Sequence, residues 1–354
     1  MHHTHIRPAC LIVVLLLLAG GCANRHPGIE AYLNDTDIPS TLELRDTPFF
    51  PQEAYQCGPA ALATVLVASD IDVTPDELTG KVYLPQRQGS LQLELIAASR
   101  RFGRLPYVLD GELPAIFSEL STGRPVLVLQ NLGLASYPVW HYAVVIGYDA
   151  SRNEITLRSG DRQRLTMSTR KFMRSWELAD YWALVILRPG EMPVAPDESR
   201  YVHAIAALES AAQHDAAAVF YAKALSRWPD NTLALFGTGN IHYAQGNKKA
   251  AEATYQRLLA IRPDHVAARN NLAHLLAERG CRESAVAELD SGLADMGNND
   301  PMRQHLLDTR TEILNSSVAA SVSDAPCQTI MPVPRSSILA PPQAGHPEAG
   351  GRAR

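Results

Sequence analysis

From Thr47 to about Arg188 the hydrophobic positions change period several times. After Cys57 the apolar run AALATVLVA reads as a helix. TPDELTGKVYLP follows, and Thr74 stands where it would cap a short helix starting at Pro75. SLQLELIAASRRFG carries apolar residues at helical spacing and stops at Gly103. The period then shortens. RPVLVLQNL, HYAVVIGYD, EITLRS and YWALVILRP are short β-branched or apolar runs bounded by Gly, Asp, Asn or Pro, and each predicts a strand. Helices first, then strands with short links, predict an α+β domain over residues 46–190 with an antiparallel sheet.

Beyond Pro193 the chain becomes Ala-rich and helical, and it repeats. RWPDNTLALFGTGNIHYAQGNKKAAEATYQRLLA is followed by RPDHVAARNNLAHLLAERGCRESAVAELDSGLA. Pro229 and Pro263, Gly246 and Gly280, and Ala251 and Ala285 each stand 34 residues apart, which is the tetratricopeptide period. Asp230 and Asp264 follow the prolines as turn residues. Gly239, Ala251 and Tyr255 take small and aromatic packing positions, while His242 stands where that repeat usually has tyrosine. An earlier helix pair aligns Ala217, Tyr221 and Ala224 with the same frame. About three repeats over 196–314, an all-α array, are near the minimum for a stable stack.

Neither end carries these periods. The N-terminus runs from a polar start with Arg7 into CLIVVLLLLAGGC, too short for a span of about 20 apolar residues but suited to a signal-peptide core. Its end, Leu18-Ala19-Gly20-Gly21-Cys22, resembles a bacterial lipobox. The resemblance implies a signal peptide over 1–21 and a lipid on Cys22. With Ala23 rather than Asp next, it implies the outer membrane and a periplasm-facing protein. An ordinary secretory signal is the alternative. Residues 22–45 are polar without sustained period and read as a lipidated tether. From residue 315 the chain is rich in Pro, Ser, Ala and Gly, and is expected to be a disordered tail to 354.

Composition narrows the function classes. The net charge is −5 and no Lys/Arg run is dense, which sets nucleic-acid binding aside. The five cysteines, Cys10, Cys22, Cys57, Cys281 and Cys327, are odd in number and scattered, and do not read as a disulfide framework. Cys281 follows Gly280 and reads as a half-buried turn residue; Cys327, in the tail, reads as a loose thiol.

Cys57 differs from these. Only a thiolate attacks, and a helix N-terminus favours negative charge, so Cys57 ahead of Gly58-Pro59 and a helix is placed for a lowered pKa. Gln52 and Gln56, just upstream, could each donate an amide to a developing oxyanion. A base must come from elsewhere in the fold. His141 opens HYAVVIGYD and is the candidate, with Asp149 or Asp161 to orient its ring.

Gln-x-x-x-x-Cys-Gly-Pro-Ala-Ala-Leu, followed about eighty residues later by His-Tyr-Ala-Val-Val-Ile-Gly-Tyr-Asp, closely resembles the bacteriocin-processing, double-glycine leader peptidases. The resemblance spans about residues 46–190. It implies a papain-like fold, with Cys57 as nucleophile, His141 as general base and Gln52 as oxyanion donor. Two departures stand out. Gln52 lies five residues before Cys57 where the family usually has six, and Ser159-Gly160 replaces the family's Asp-Pro. Asp161 is the nearest carboxylate to that position. No Gly-rich phosphate loop is present, and the chain is similar to a stand-alone, lipid-anchored branch carrying tetratricopeptide repeats. The expectation is a thiol peptidase that needs no cofactor, acts on a peptide or protein, and binds substrate or a protein partner through its repeats. An inactive leader-peptide-binding module is the rival, and a pure assembly scaffold the third reading.

Overall fold

The computed structural model describes residues 28–33, 36–51, 56–294 and 296–316, together with Cys327. The predicted signal segment, the Cys22 lipid site, Gln52 and all but Ser316 and Cys327 of the tail beyond Asn315 lie outside the described residues.

In chain order, α1 (Ile29–Leu33) and β1 (Thr41–Glu43) precede α2 (Cys57–Val67) and α3 (Pro75–Val82). A small hairpin, β2 (Tyr83–Leu84) and β3 (Gly89–Ser90), leads to α4 (Gln92–Arg101), β4 (Leu105–Val108) and α5 (Leu113–Ser121). Strands β5 (Val126–Asn131), β6 (Trp140–Asp149), β7 (Glu154–Ser159) and β8 (Arg162–Ser168) come next, then α6 (Thr169–Glu177) and β9 (Ala183–Leu187). The main sheet is antiparallel in the order β4-β9-β5-β6-β7-β8. The four predicted strands are β5, β6, β7 and β9. The Thr74 cap forms as a full capping box, with Thr74 and Glu77 satisfying each other's backbone N–H groups.

Both faces of the sheet are covered, which is why β5 and β9 read as unbroken apolar runs. Val128, Val145 and Leu157 share one buried cluster with Phe117 of α5 and Trp176 of α6. Leu127, Tyr142, Val144 and Ile146 share the other with Leu62 and Leu66 of α2. Helix α2 is therefore enclosed, buried from Gly58 through Leu66. Its C-terminal carbonyls end on two guanidiniums. Arg104 donates to Ser69 O at 2.7 and 2.9 Å, and Arg188 donates to Ala68 O at 2.8 Å, placing cations at the negative end of the helix dipole.

The tether is shorter than the sequence suggests. Ile29 is fully buried and its N–H is bound by Asn153 Oδ1 at 3.1 Å. Strand β1 pairs with the end of β6 that β5 leaves open, Thr41 opposite Asp149 and Glu43 opposite Gly147. Gly147 permits this crossing, since a Cβ there would lie 2.3 Å from Leu42 O. Three polar-flanked residues carry no period of their own; a long-range pairing makes them a strand.

The second domain is all helical: α7 (Glu198–Ser210), α8 (His214–Arg227), α9 (Thr232–Ala244), α10 (Lys248–Ile261), α11 (Val266–Glu278), α12 (Arg282–Ala294) and α13 (Arg303–Asn315). Gly239 is small because the Tyr255 ring lies against it, where a Cβ would come within 2.5 Å. Helix α7 packs on the edge strand β4: the Tyr107 and Tyr201 rings are 6.4 Å apart, and Tyr107 Oη accepts the Asp197 N–H at 3.0 Å. One buried cluster thus runs from the sheet into the repeats.

The reading of the two late cysteines is overturned. Cys281 is buried, 4% exposed, and forms a disulfide with Cys327, 46 residues away. The partner lies in a Pro- and Ser-rich stretch with no periodicity, so spacing alone could not pair them.

Candidate active site

Cys57 is the first residue of α2, and the Gln56 side chain before it makes no capping bond. The backbone N–H groups of Cys57 and Gly58 turn toward the sulfur, as does that of Tyr142 across the gap from β6. Tyr142 follows His141 directly, so the Tyr142 amide brings the start of β6 against the thiol. Among the described residues no hydrogen bond joins the sulfur to the His141 ring directly. Apo thiol–imidazole contacts often tighten only around substrate.

Packing dictates the residue after the thiol. A Cβ on Gly58 would stand 2.3 Å from Ser90 Oγ and 2.5 Å from Ser90 Cβ. The Ser90 hydroxyl is itself buried without a partner, while the Ser90 carbonyl accepts from Tyr142 Oη at 3.3 Å. Hairpin β2–β3, α2 and β6 thus meet around Ser90, beside the residue that follows the thiol.

His141 stands opposite Gln130 in the β5–β6 register, and its Nε2 lies 2.8 Å from Ser159 Oγ on β7. Ser159 is buried. When Nε2 carries the proton and donates it to Ser159, Nδ1 presents a lone pair to accept a proton. Asp161 does not take this orienting place. It lies in the β7–β8 turn with its side chain 88% exposed, 3.8 Å from Arg162 Nε. Asp149 lies at the other end of β6, about 26 Å away at the rise of a strand, where it binds Ser151 Oγ and the Arg152 N–H. Gln52 is outside the described residues.

Ser159 could have been chosen from the sequence, because it occupies the position where the resembling family has Asp. Asp161 drew attention as the nearest charge, but it sits in the turn between two strands, past the end of β7 at Ser159.

Burial governs the electrostatics. It pushes the Cys57 thiol up, against the smaller downward pull of the Tyr142, Gly58 and Cys57 N–H groups. It pushes the His141 imidazole down, and it holds the Tyr142 phenol above its ordinary range. The lowered thiol expected from the helix terminus is therefore reversed: desolvation of the sulfur outweighs the amides around it. Among the described residues no carboxylate bonds to the ring, and both burial shifts favour the uncharged forms of thiol and imidazole.

Residues 44–183 match the Peptidase_C39 like family, and residues 208–264 match a tetratricopeptide repeat. The first domain is a C39-like peptidase domain. A solved C39-like peptidase from Bacillus anthracis shares 16% identity, covering 42% of this chain and 98% of its own at a TM-score of 0.36. The peptidase domain of Streptococcus ComA, a bifunctional ABC transporter involved in a quorum-sensing pathway, shares 18% identity. That match covers 40% of this chain and 98% of the other, at a TM-score of 0.32. No curated protein matches the chain. The C39-like domain is joined at its β4 edge to the helical repeats through a common core.

Proposed function

We propose that this protein is a cysteine peptidase in which Cys57 and His141 form a dyad oriented by Ser159. The observation that carries the reading is the thiol at the mouth of α2, reached by the amide of the residue after a histidine whose far nitrogen is already engaged. Sulfur attacks a peptide carbonyl carbon while its proton passes to His141 Nδ1. The tetrahedral intermediate collapses as the C–N bond breaks, and His141 gives the proton to the departing amine. Water, deprotonated by His141, then opens the thioester and returns the thiol. The oxyanion is met by the Cys57 backbone N–H, with the Gln52 amide as its side-chain donor. The repeats hold a further segment of the substrate or a protein partner.

Anchoring through a lipid on Cys22 at the outer membrane, facing the periplasm, belongs to the same reading. The Cys281–Cys327 disulfide supports an oxidising compartment.

Iodoacetamide labelling of the full chain tests the dyad. Cys57 is the free cysteine among the described residues. Its alkylation is expected to slow at least tenfold in His141→Ala. A rate that His141→Ala leaves unchanged would remove the imidazole from the mechanism. A second reading, a binding module that holds a peptide without cutting it, is favoured by Ser159 rather than a carboxylate bonding the His141 ring among the described residues. It predicts that Cys57→Ala keeps full function in the cell, whereas the peptidase reading predicts loss.

A further inference from the structure

Next to the candidate site lies a groove of about 330 Å³ that the dyad does not use. One wall is the turn after β5, with Leu132 and Leu134; the other is α6, with Lys171, Arg174 and Leu178. Asn131 Oδ1 braces the loop by accepting the Gly133 and Val139 N–H groups, both at 2.9 Å. The braced loop carries exposed apolar side chains, Leu132, Leu134, Tyr137, Val139 and Trp140, and Trp140 immediately precedes His141. A patch of this kind beside a cleft marks a recognition surface.

Charge identifies the occupant. Lys171 and Arg174 are exposed, one turn apart on α6, and form no ion pair among the described residues. Arg170, beside them, is likewise exposed. On the neighbouring strand β8, by contrast, the arginines are engaged: Arg164 holds Glu43 and Arg162 lies beside Asp161. Apolar ground with unpaired cations above it complements a peptide that alternates bulky apolar and acidic residues.

Chemistry fixes which part of the peptide arrives there. His141 must protonate the departing amine, so the half of the substrate C-terminal to the cut bond leaves on the histidine side. Gln130, opposite His141, donates to Ser175 Oγ at 2.7 Å, and Ser175 lines the groove. We propose that the groove between the 131–134 turn and α6 is a specificity site for the leaving-group half of the substrate, selecting an apolar residue beside an acidic one. The orientation rests on the peptidase reading; the charge preference does not.

The test measures binding without turnover. Full-length Cys57→Ala protein is titrated with two fluorescein-labelled dodecapeptides sharing a central Leu-Leu pair, one carrying four Asp and the other four Lys. The acidic peptide is expected to bind at least tenfold more tightly at low salt. Lys171→Glu/Arg174→Glu should abolish or invert the preference, and Lys171→Gln/Arg174→Gln should erase it with less disturbance. A benzophenone placed beside the Leu-Leu pair is expected to crosslink to residues 131–134 or α6. Equal binding of the two peptides, a preference that survives both double variants, or crosslinks elsewhere would overturn the proposal. Because no cleavage is needed, failure of the wild-type protein to cut either peptide counts against the peptidase reading alone.

Discussion

His141 Nε2 and Ser159 Oγ lie 2.8 Å apart across β6 and β7, with the serine buried. A hydroxyl orients the ring but, unlike a carboxylate, adds no charge to stabilise an imidazolium. Two substitutions separate these roles. Ser159→Ala removes a neutral hydrogen bond worth about 1 kcal/mol, and Cys57 alkylation is expected to slow roughly fivefold by the same free energy. Ser159→Asp places a negative charge beside Nε2 and should raise the imidazole pKa by about 1–3 units, speeding alkylation most at pH 6. If Ser159→Asp and wild type alkylate identically from pH 5 to 9, the bond to Ser159 has no part in the proton transfer.

The two burial shifts predict the pH profile of the wild-type thiol. Raising the thiol and lowering the imidazole both favour the uncharged pair. Thiolate then accumulates only as pH climbs past the ordinary thiol value of about 8.5. Alkylation through free thiolate should therefore rise about tenfold per pH unit between 6 and 8 in His141→Ala. The wild-type rate, assisted by the neutral imidazole, should lie above that line, with no plateau beginning near pH 5. Stopped-flow labelling against pH reads this directly. A plateau beginning near pH 5 would mean that a thiolate–imidazolium pair exists in the free protein.

Much of this arrangement was legible in local pattern. Thr74, Pro75 and Glu77 specify a helix start among themselves, and the continuous apolar run of β6 depends only on the strand's own burial. Helix α6 was open to the same reading, since Ser168 caps it and Phe172, Met173 and Trp176 share its buried face. Strand β8, RQRLTMS, was not, because its half-exposed edge position leaves few apolar residues to betray it. What depends on register stayed hidden. Ser159 meets His141 because two strands align, β1 exists because Gly147 leaves room for it, and the Cys281–Cys327 pair closes over three dozen intervening residues and more. The placement of Cys57 ahead of a helix was read correctly, and its electrostatic consequence was not, because enclosure of α2 by the sheet cannot be seen from the helix alone.

Gly58 offers a packing test near the sulfur that leaves the dyad atoms intact. An alanine Cβ would press on Ser90 Oγ at 2.3 Å and on Ser90 Cβ at 2.5 Å. Overpacking of this kind costs about 1–3 kcal/mol, so Gly58→Ala should lower the melting temperature by several degrees. Ser90→Gly in the same chain removes both clashing atoms and should recover most of the loss. A double variant no more stable than Gly58→Ala alone would show that the hairpin does not press on α2 as described.

The disulfide bears on the repeats rather than on the site. Cys281 begins the turn into α12, and its bond to Cys327 closes a loop holding α12 and α13. Closing a loop with this 46-residue separation removes chain entropy from the unfolded state worth about 4 kcal/mol. Since α13 is the last helix among the described residues and packs on α11 and α12, its opening should be the event the bond most restrains. Cys327→Ser, or reductant on the wild type, should lower the melting temperature and speed hydrogen exchange in α12 and α13. Exchange in β5 and β6, held by the sheet on both sides, should not change. The same treatment should leave the rate of Cys57 alkylation untouched. Identical melts and identical exchange with and without the bond would mean that the tail gives the array no support.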